Sequence, residues 1–243
     1  MPYFDMRNAE PSNEYVCWLD IMGTKNKMLT SVKQSSIFIF KFHVAILEAI
    51  QALEPIRATE IIAYPVMDGV YLTSPEKDII LDVISKIFFS MAYQFTNENI
   101  FYHLYMIKGA IAYGPIYHGR NIANDASYIF ENSTNAANYK QSILLGMPMV
   151  LACQGEKDAP PFGLFVDESA RNSPCLIPFK WYRWDSNYAI SSSFAGIKNA
   201  FIEKVDKYYD CCTKCSASIN YPLEKIQEHK ALFNMYFFDP PSL

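Results

Sequence analysis

Apolar positions in the first half of the chain alternate between two periods. Residues 15–21 form a short apolar run, which is typical of a buried strand. Over 25–53, apolar residues recur every three or four positions, which predicts a helix. Two more strands are expected at 58–66 and 70–73, because these runs flank an Asp-Gly pair typical of a hairpin.

A second helix and a fourth strand complete the pattern. Pro75 and Glu76 resemble a helix start, and this helix is expected to run to about residue 95. The following apolar run at 104–113 predicts a strand that ends before Gly114 and Pro115. The order strand, helix, strand, strand, helix, strand is that of a ferredoxin-like βαββαβ unit, whose helices lie on one face of an antiparallel sheet.

The second half of the chain is more helical. We expect a helix at 122–140, a strand at 149–152, short strands within 162–190 and helices at 193–214 and 223–235. The segment 162–190 carries an aromatic cluster that we interpret as core or interface, formed by Phe179, Trp181, Tyr182 and Trp184. The predicted fold class is therefore α+β, with a ferredoxin-like core and additional C-terminal helices.

Composition limits the organisation and the partners of the protein. A chain of 243 residues with 51% hydrophobic residues can bury one sizeable core. We therefore expect an arm at 1–13, a catalytic domain at 14–152 and an extension at 153–243 packed on the same domain. The net charge of -4 and the absence of Lys/Arg-rich runs argue against nucleic-acid binding.

No targeting or membrane segment is evident in the sequence. The first residues are polar, and no uncharged apolar stretch reaches ~18 residues, so neither a secretory leader nor a membrane span is predicted. Without a leader, the six cysteines are expected to be reduced in the cytoplasm.

Two aspartates carry the candidate chemistry. Asp20 ends the first strand just before Gly23, and Asp68 lies at the predicted hairpin. In the βαββαβ topology the first strand and this hairpin are neighbours in the middle of the sheet, so the carboxylates can lie side by side. Two neighbouring carboxylates repel each other, and divalent cations would offset this repulsion. The competing interpretation is that both residues only form turns.

Three motifs give the chain a resemblance to class III nucleotidyl cyclases. The run at 19–24, Leu-Asp-Ile-Met-Gly-Thr, resembles the opening metal-binding motif of that family. The run at 67–69, Met-Asp-Gly, is similar to its second metal-binding hairpin, and 107–115 is similar to the strand that follows. The resemblance covers about 14–152.

The resemblance implies a two-metal site. Asp20 and Asp68 would hold two Mg²⁺ or Mn²⁺ ions, with the main-chain carbonyl of Ile21 as a further ligand. The metals would clamp the attacking and leaving oxygens of an in-line phosphoryl transfer. Main-chain N–H groups would bind the substrate phosphates at Met22, Gly23 and Thr24.

Two positions depart from the purine cyclase pattern. Tyr64 stands where those enzymes carry the Lys that reads the base, and Tyr cannot supply an ammonium donor. Asn124 matches the ribose-orienting Asn, but Tyr128 stands in place of the transition-state Arg. The run 135–139 is an alternative register, again with Tyr at the Arg position.

Because the Arg is missing, another cationic residue would have to stabilise the negative charge of the transition state. Lys108, Arg120 and Lys140 are candidates between which spacing does not choose, and we place Lys108 among the substrate-binding residues.

The lost purine Lys and the compact catalytic domain resemble the Pycsar pyrimidine cyclases of bacterial antiphage defence. That likeness implies conversion of UTP or CTP to 3′,5′-cyclic UMP or cyclic CMP and pyrophosphate. It also implies a head-to-tail homodimer with two shared sites, and a separate effector protein that reads the product. A purine cyclase and a catalytically silent nucleotide-binding module are the alternative hypotheses.

Overall fold

The protein is built on one large mixed sheet. The computed structural model describes residues 10–121, 134–172 and 177–238. The described residues contribute seven strands: β1 Ser12–Ile21, β2 Ile62–Val66, β3 Gly69–Ser74, β4 Ile107–His118, β5 Leu144–Gly146, β6 Leu164–Val166 and β7 Trp181–Tyr182. Their order is β2-β3-β1-β4-β6-β7, with β5 paired to one end of β4.

Strand β1 lies between β3 and β4 and is antiparallel to both. This confirms the expected neighbourhood of the first strand and the β2–β3 hairpin. The strand starts earlier than predicted, because Ser12 and Asn13 pair with Ile116 and Pro115 of β4. Two residues of the predicted arm therefore belong to the sheet.

Nine helices are present in the described ranges. They are α1 Thr24–Thr30, α2 Val32–Gln51, α3 Pro55–Ala58, α4 Lys77–Asn97, α5 Thr134–Gln141, α6 Met147–Gly155, α7 Glu168–Arg171, α8 Ser191–Lys214 and α9 Leu223–Phe237. The predicted C-terminal helices are α8 and α9. Both α2 and α4 contribute to the main core, which also takes in alternate residues of β1.

The predicted helix at 25–53 is two helices. Ser31 interrupts it with extended backbone and accepts a hydrogen bond from the Gln34 N–H, so it caps the start of α2. The strand predicted at 58–66 is shorter, since Pro55 begins the helical turn α3 and the strand starts only at Ile62.

Two further strand predictions fail for local reasons. The strand expected at 149–152 is wrong: these residues lie inside α6, where Pro148 occupies the first turn. A short apolar run does not distinguish a strand from a buried helix. The strand expected at 104–113 starts later and continues through Gly114 and Pro115 to His118, because β1 and β5 supply pairing partners there.

The outer face of α2 is apolar and exposed. The buried residues of the helix are Ser35, Phe38, Phe42, Ala45, Ile46 and Ala49. A second stripe, which we call the α2 stripe, faces outward and consists of Ile37, Phe40, Val44 and Leu47. The helical period was therefore correct, but much of the predicted apolar face is not core.

The C-terminal part shares the main core. Phe201 of α8 and Phe233 of α9 are buried in the same cluster as Leu19 of β1. In the aromatic segment, Trp181 and Trp184 are core residues, whereas Phe179 is exposed. Among the described helices only α4 is long and apolar enough to cross a membrane, and 61% of its apolar window is buried in the protein, as in a core helix.

The opposite face of the sheet carries the polar groups. Helix α6 packs across β4 and β1 on this face, where Pro148 approaches Gly114 and Gly155 approaches Ala110. Side chains alternate along β1, so Glu14, Trp18 and Asp20 share this face. It therefore brings together charged residues from both ends of the strand.

Candidate functional site

Asp20 and Asp68 meet at one end of the sheet. Asp20 pairs with Gly69 across β1 and β3, and Asp68 directly precedes Gly69 in the hairpin loop. Their charges are close enough for Asp68 to raise the pKa of Asp20. The predicted juxtaposition of the two carboxylates is therefore present in the structure.

The hairpin loop consists of Met67 and Asp68, because Val66 and Gly69 already pair. The loop is thus one residue earlier than the Asp-Gly pair suggests. Met67 has a positive φ of 54°, a conformation that costs roughly 1–3 kcal/mol for a residue other than glycine. Glycine is required at position 69, because a Cβ at this position would lie only 2.3 Å from the ring of Trp18.

Lys108 and Glu156 complete this end of the sheet. Lys108 pairs with Asp20 across β1 and β4, and its Nζ lies 2.9 Å from Oε1 of Glu156. Both side chains are largely buried. We call Asp20, Asp68, Lys108 and Glu156 the Asp20 cluster. Sequence reasoning missed Glu156, because only the helical path of α6 carries the chain across the sheet to this point.

The Asp20 cluster is electrostatically unbalanced. Burial, followed by the charges of Asp68 and Glu156, raises the pKa of Asp20 from 3.8 to about 7. The Ile21 N–H and the Lys108 charge act in the opposite direction but do not cancel it. One ammonium group faces three carboxylates, so the cluster has a deficit of positive charge.

The donor set fits a hard divalent cation. Carboxylate and carbonyl oxygens suit Mg²⁺ and Mn²⁺. The described residues contain no group of three or more His, Cys, Asp or Glu side chains placed to hold a metal. Mg²⁺ is commonly held by one or two carboxylates together with water and substrate phosphates, which is what Asp20 and Asp68 can offer. The Ile21 carbonyl accepts from the Thr24 hydroxyl at 3.1 Å and retains a second lone pair.

The predicted phosphate-binding loop is only partly open. The Met22 N–H donates to the Met106 carbonyl at 2.8 Å and is occupied in this conformation. Thr24 is buried, and its hydroxyl is committed to Ile21. Gly23 is exposed and has a φ of 76°, so its backbone remains accessible to a ligand. Helix α1 has seven residues, which limits the dipole that it can offer an anion.

Tyr64 lies in a different cluster from Asp20. It is 5% exposed and packs with Val16, Ile116 and Leu144. Its hydroxyl lies 2.5 Å from Nδ1 of His118, whose Nε2 lies 2.8 Å from Oε1 of Glu14. A base could contact Tyr64 only if this packing opened. The sequence predicts that Tyr64 lines the base pocket, but in the structure the residue is buried.

The three candidate substitutes for the missing Arg lie in different places. Lys108 belongs to the Asp20 cluster. Arg120 is near enough to Tyr64 to influence its pKa, at the far end of β4. Lys140 lies in α5, and its carbonyl lies close to Gly119. Of the three, Lys108 is therefore the one placed beside the aspartates.

The remaining predicted residues cannot be placed. Asn124 and Tyr128 lie outside the described residues. The alternative register at 135–139 falls in α5, where the side chains of 134–137 are not described. The contribution of this helix to the site stays a prediction.

Comparison with known proteins adds no family to this geometry. A scan against models of protein families found no match, and a search of curated proteins found no significant relative.

Proposed function

We propose that the protein is a cytoplasmic pyrimidine nucleotide cyclase that converts UTP or CTP to the 3′,5′-cyclic monophosphate and pyrophosphate. The observation that carries the proposal is the Asp20–Asp68 pair, which lies at the end of the central strand with Lys108 opposite. The Asp68 charge contributes to the raised pKa of Asp20, and divalent cations relieve such repulsion between neighbouring carboxylates.

The chain's own residues would bind and orient the triphosphate. Bound divalent cations would supply activation of the ribose 3′-hydroxyl and neutralise charge on the leaving pyrophosphate. Asp20 and Asp68 would hold them, with the Ile21 carbonyl as a further oxygen donor. Lys108 would release its ion pair with Glu156 and bind a substrate phosphate instead. Its ammonium group would then stabilise the negative charge that develops on the phosphate during the reaction.

The pyrimidine preference rests on the resemblance, in which Tyr64 replaces the Lys that reads a purine and offers no ammonium group. Tyr64 itself is buried away from the Asp20 cluster in this structure. The role of the product as a signal to a separate effector in antiphage defence rests on the resemblance alone.

A homodimer would complete the site. The α2 stripe is an exposed apolar surface, and such surfaces commonly mark interfaces. His43 of α2 donates from Nε2 to the Met67 carbonyl at 3.3 Å, so this helix is connected to the loop that carries Asp68. A second copy on this surface would lie next to the aspartates and could contribute the base contacts that Tyr64 does not offer.

A catalytically silent nucleotide-binding module is the second candidate. It is favoured by the occupied Met22 N–H and by the ion pair that ties Lys108 to Glu156. Such a module would bind a triphosphate and leave it intact.

A nucleotide panel tests the proposal. The purified protein is incubated with ATP, GTP, CTP or UTP and Mn²⁺, and the products are separated by chromatography. We expect cyclic UMP or cyclic CMP, a loss of at least about 100-fold in rate in Asp20→Asn, and unchanged turnover in Glu10→Gln. Glu10 is an exposed acid that precedes β1, at the end of the strand opposite to Asp20. Faster turnover of ATP or GTP would overturn the pyrimidine assignment, and binding without product would select the silent module.

A further inference from the structure

Met22 and Gly23, which we call the Asp20 loop, form part of the wall of a pocket of about 320 Å³. We call this pocket the rear pocket. Its walls come from Met22 and Gly23, from α1 and the start of α2, and from the connection between α8 and α9 at 218–222. Its volume falls in the range of small-molecule sites, ~300–1,000 Å³. The rear pocket therefore joins the predicted catalytic domain to the C-terminal extension, whose role the sequence left open.

The walls of the rear pocket are aromatic on several sides. Phe38 of α2, Phe101 of the turn before β4, Tyr208 of α8 and Tyr221 of the connecting segment all line it. Phe101 and Tyr208 stack on each other with ring centres 5.5 Å apart. The aromatic lining favours a flat apolar ligand, since offset and edge-to-face contacts add to simple burial.

Lys27 gives the rear pocket an unneutralised positive charge. Its ammonium donates to the Leu104 carbonyl and lies 5.1 Å from the centre of the Phe38 ring. No carboxylate is among the described residues that line the pocket. Burial lowers the pKa of Lys27 to about 8, so the amine is still mostly protonated at neutral pH. An anion in the pocket would restore the lost solvation of this charge.

Ser35 supplies an independent sign of a missing partner. Its side chain is 1% exposed, it lines the rear pocket, and its hydroxyl has no hydrogen-bond partner in the structure. Buried polar groups are nearly always satisfied, and an exception at a cavity wall points to a ligand or water. Ser35 and Lys27 line the same cavity and can serve one polar group together.

We propose that the rear pocket binds a small planar ligand with one anionic group, a carboxylate or a phosphate, held by Lys27 and Ser35. Its flat part lies among Phe38, Phe101 and Tyr208. His229 adds a neutral polar group, because burial lowers its pKa to about 4; its Nδ1 lies 2.5 Å from the Tyr221 hydroxyl oxygen. The site needs no metal and stands apart from the cyclase proposal.

A ligand bound in the rear pocket would restrain the backbone of the Asp20 loop. Met22 and Met106 both line the pocket, and the hydrogen bond from the Met22 N–H to the Met106 carbonyl joins them. A ligand that fixes this pair fixes the backbone two residues after Asp20. An effect on turnover would rest on the proposed function, whereas binding itself does not.

The test uses naphthalene-2-carboxylate and uridine 5′-monophosphate as anionic probes, with naphthalene-2-methanol as the neutral match. Binding is measured by calorimetry on the whole protein without metal. We expect at least one anionic probe to bind, about tenfold or more tightly than the neutral alcohol. The probe that binds identifies the carboxylate or the phosphate as the preferred group.

Variants locate the site. Lys27→Met should weaken the anionic probe about tenfold, Ser35→Ala should weaken it less, and Lys33→Met should leave it unchanged. Lys33 is an exposed lysine at the same start of α2 that does not line the pocket.

Three outcomes would overturn the proposal: no anionic probe binds at millimolar concentration, the alcohol binds as tightly as the tighter of the two anionic probes, or Lys27→Met binds as wild type does. The comparison of the anionic probes with the alcohol uses wild-type protein and decides the matter even if the variant fails to fold. Displacement of the probe by UTP with Mn²⁺ would assign the pocket to the triphosphate site and would also overturn a separate site.

Discussion

The same face of β1 carries two charged clusters in opposite states. At one end, Glu14, His118 and Tyr64 form what we call the Glu14 cluster, a buried chain of hydrogen bonds. At the other end, six residues or roughly 20 Å away, the Asp20 cluster sets three carboxylates against one ammonium. Burial penalises the charged carboxylate in both clusters. The two clusters differ in whether that carboxylate has enough hydrogen-bonding or cationic partners.

The pKa values express this difference. Burial opposes ionisation of Glu14, but hydrogen bonds from His118 and Ser12 prevail, and its pKa is lowered. Burial and like charges raise the pKa of Asp20 to about 7. In the Glu14 cluster Oε1 of Glu14 is hydrogen-bonded, while its buried Oε2 has no partner among the described residues. A cluster whose charge is paired stabilises the fold, whereas one with a surplus of like charge is more typical of a functional site. We therefore interpret the Glu14 cluster as structural and the Asp20 cluster as the place of chemistry.

The largest expected effect comes from breaking the Glu14 cluster. His118→Leu leaves the buried Glu14 carboxylate without its main donor, and the free energy of unfolding should fall by about 3–5 kcal/mol. Urea unfolding measures it.

The matched control is the double variant Glu14→Leu with His118→Leu. It removes both partners and should cost less than the two single changes added together, because no charge is left unpaired. A fully additive pair would contradict the coupling that we assign to the Glu14 cluster.

The two clusters should respond to pH with opposite slopes. The folded pKa of Asp20 is raised, so its contribution to stability is present below about pH 3.8 and is lost as the pH rises through about 7. The folded pKa of Glu14 is lowered from 4.5, so its contribution is present above that value and is lost as the pH falls below it.

Urea unfolding of metal-free protein across pH 3–8, with a chelator present, separates the two slopes. Asp20→Asn should remove the loss of stability between about pH 4 and pH 7. Glu14→Gln should reduce only the loss at acid pH. Equal pH profiles of wild type and Asp20→Asn would show that Asp20 titrates normally.

The smallest effect is expected at Tyr64. Tyr64→Phe removes one hydrogen bond to His118 and should lower the free energy of unfolding by about 1 kcal/mol. If Tyr64 is structural, the choice between UTP and CTP should not change. A changed nucleotide preference in this variant would instead return Tyr64 to the base pocket that the sequence suggests.

The order of the first four strands was predictable from the sequence because it depends on few signals. Apolar periodicity and the hairpin at Asp68 fix the βαββαβ order, and that order places Asp20 beside Asp68. The expected all-antiparallel sheet was wrong, since β6 pairs parallel to β4. Element ends were less predictable: Ser31 divides a helix whose apolar period continues across it. Residues 149–152 are helical because Pro148 and the surface of β4 decide the conformation, and a short apolar run does not encode that choice.

The composition of the site depends on long-range packing that sequence spacing does not contain. Glu156 reaches Lys108 only because α6 crosses the sheet. Tyr64 bonds to His118, 54 positions away in the chain. Lys108, in contrast, could be placed beside Asp20 as soon as β1 and β4 were paired.

Calorimetric titration with Mn²⁺ at pH 7.5 shows whether Asp20 and Asp68 together hold a divalent cation. We expect wild type and Glu10→Gln to bind Mn²⁺ alike, protons to be released because Asp20 is partly protonated, and Asp20→Asn and Asp68→Asn each to bind at least about tenfold more weakly. Equal Mn²⁺ affinity in wild type and both variants would contradict this expectation.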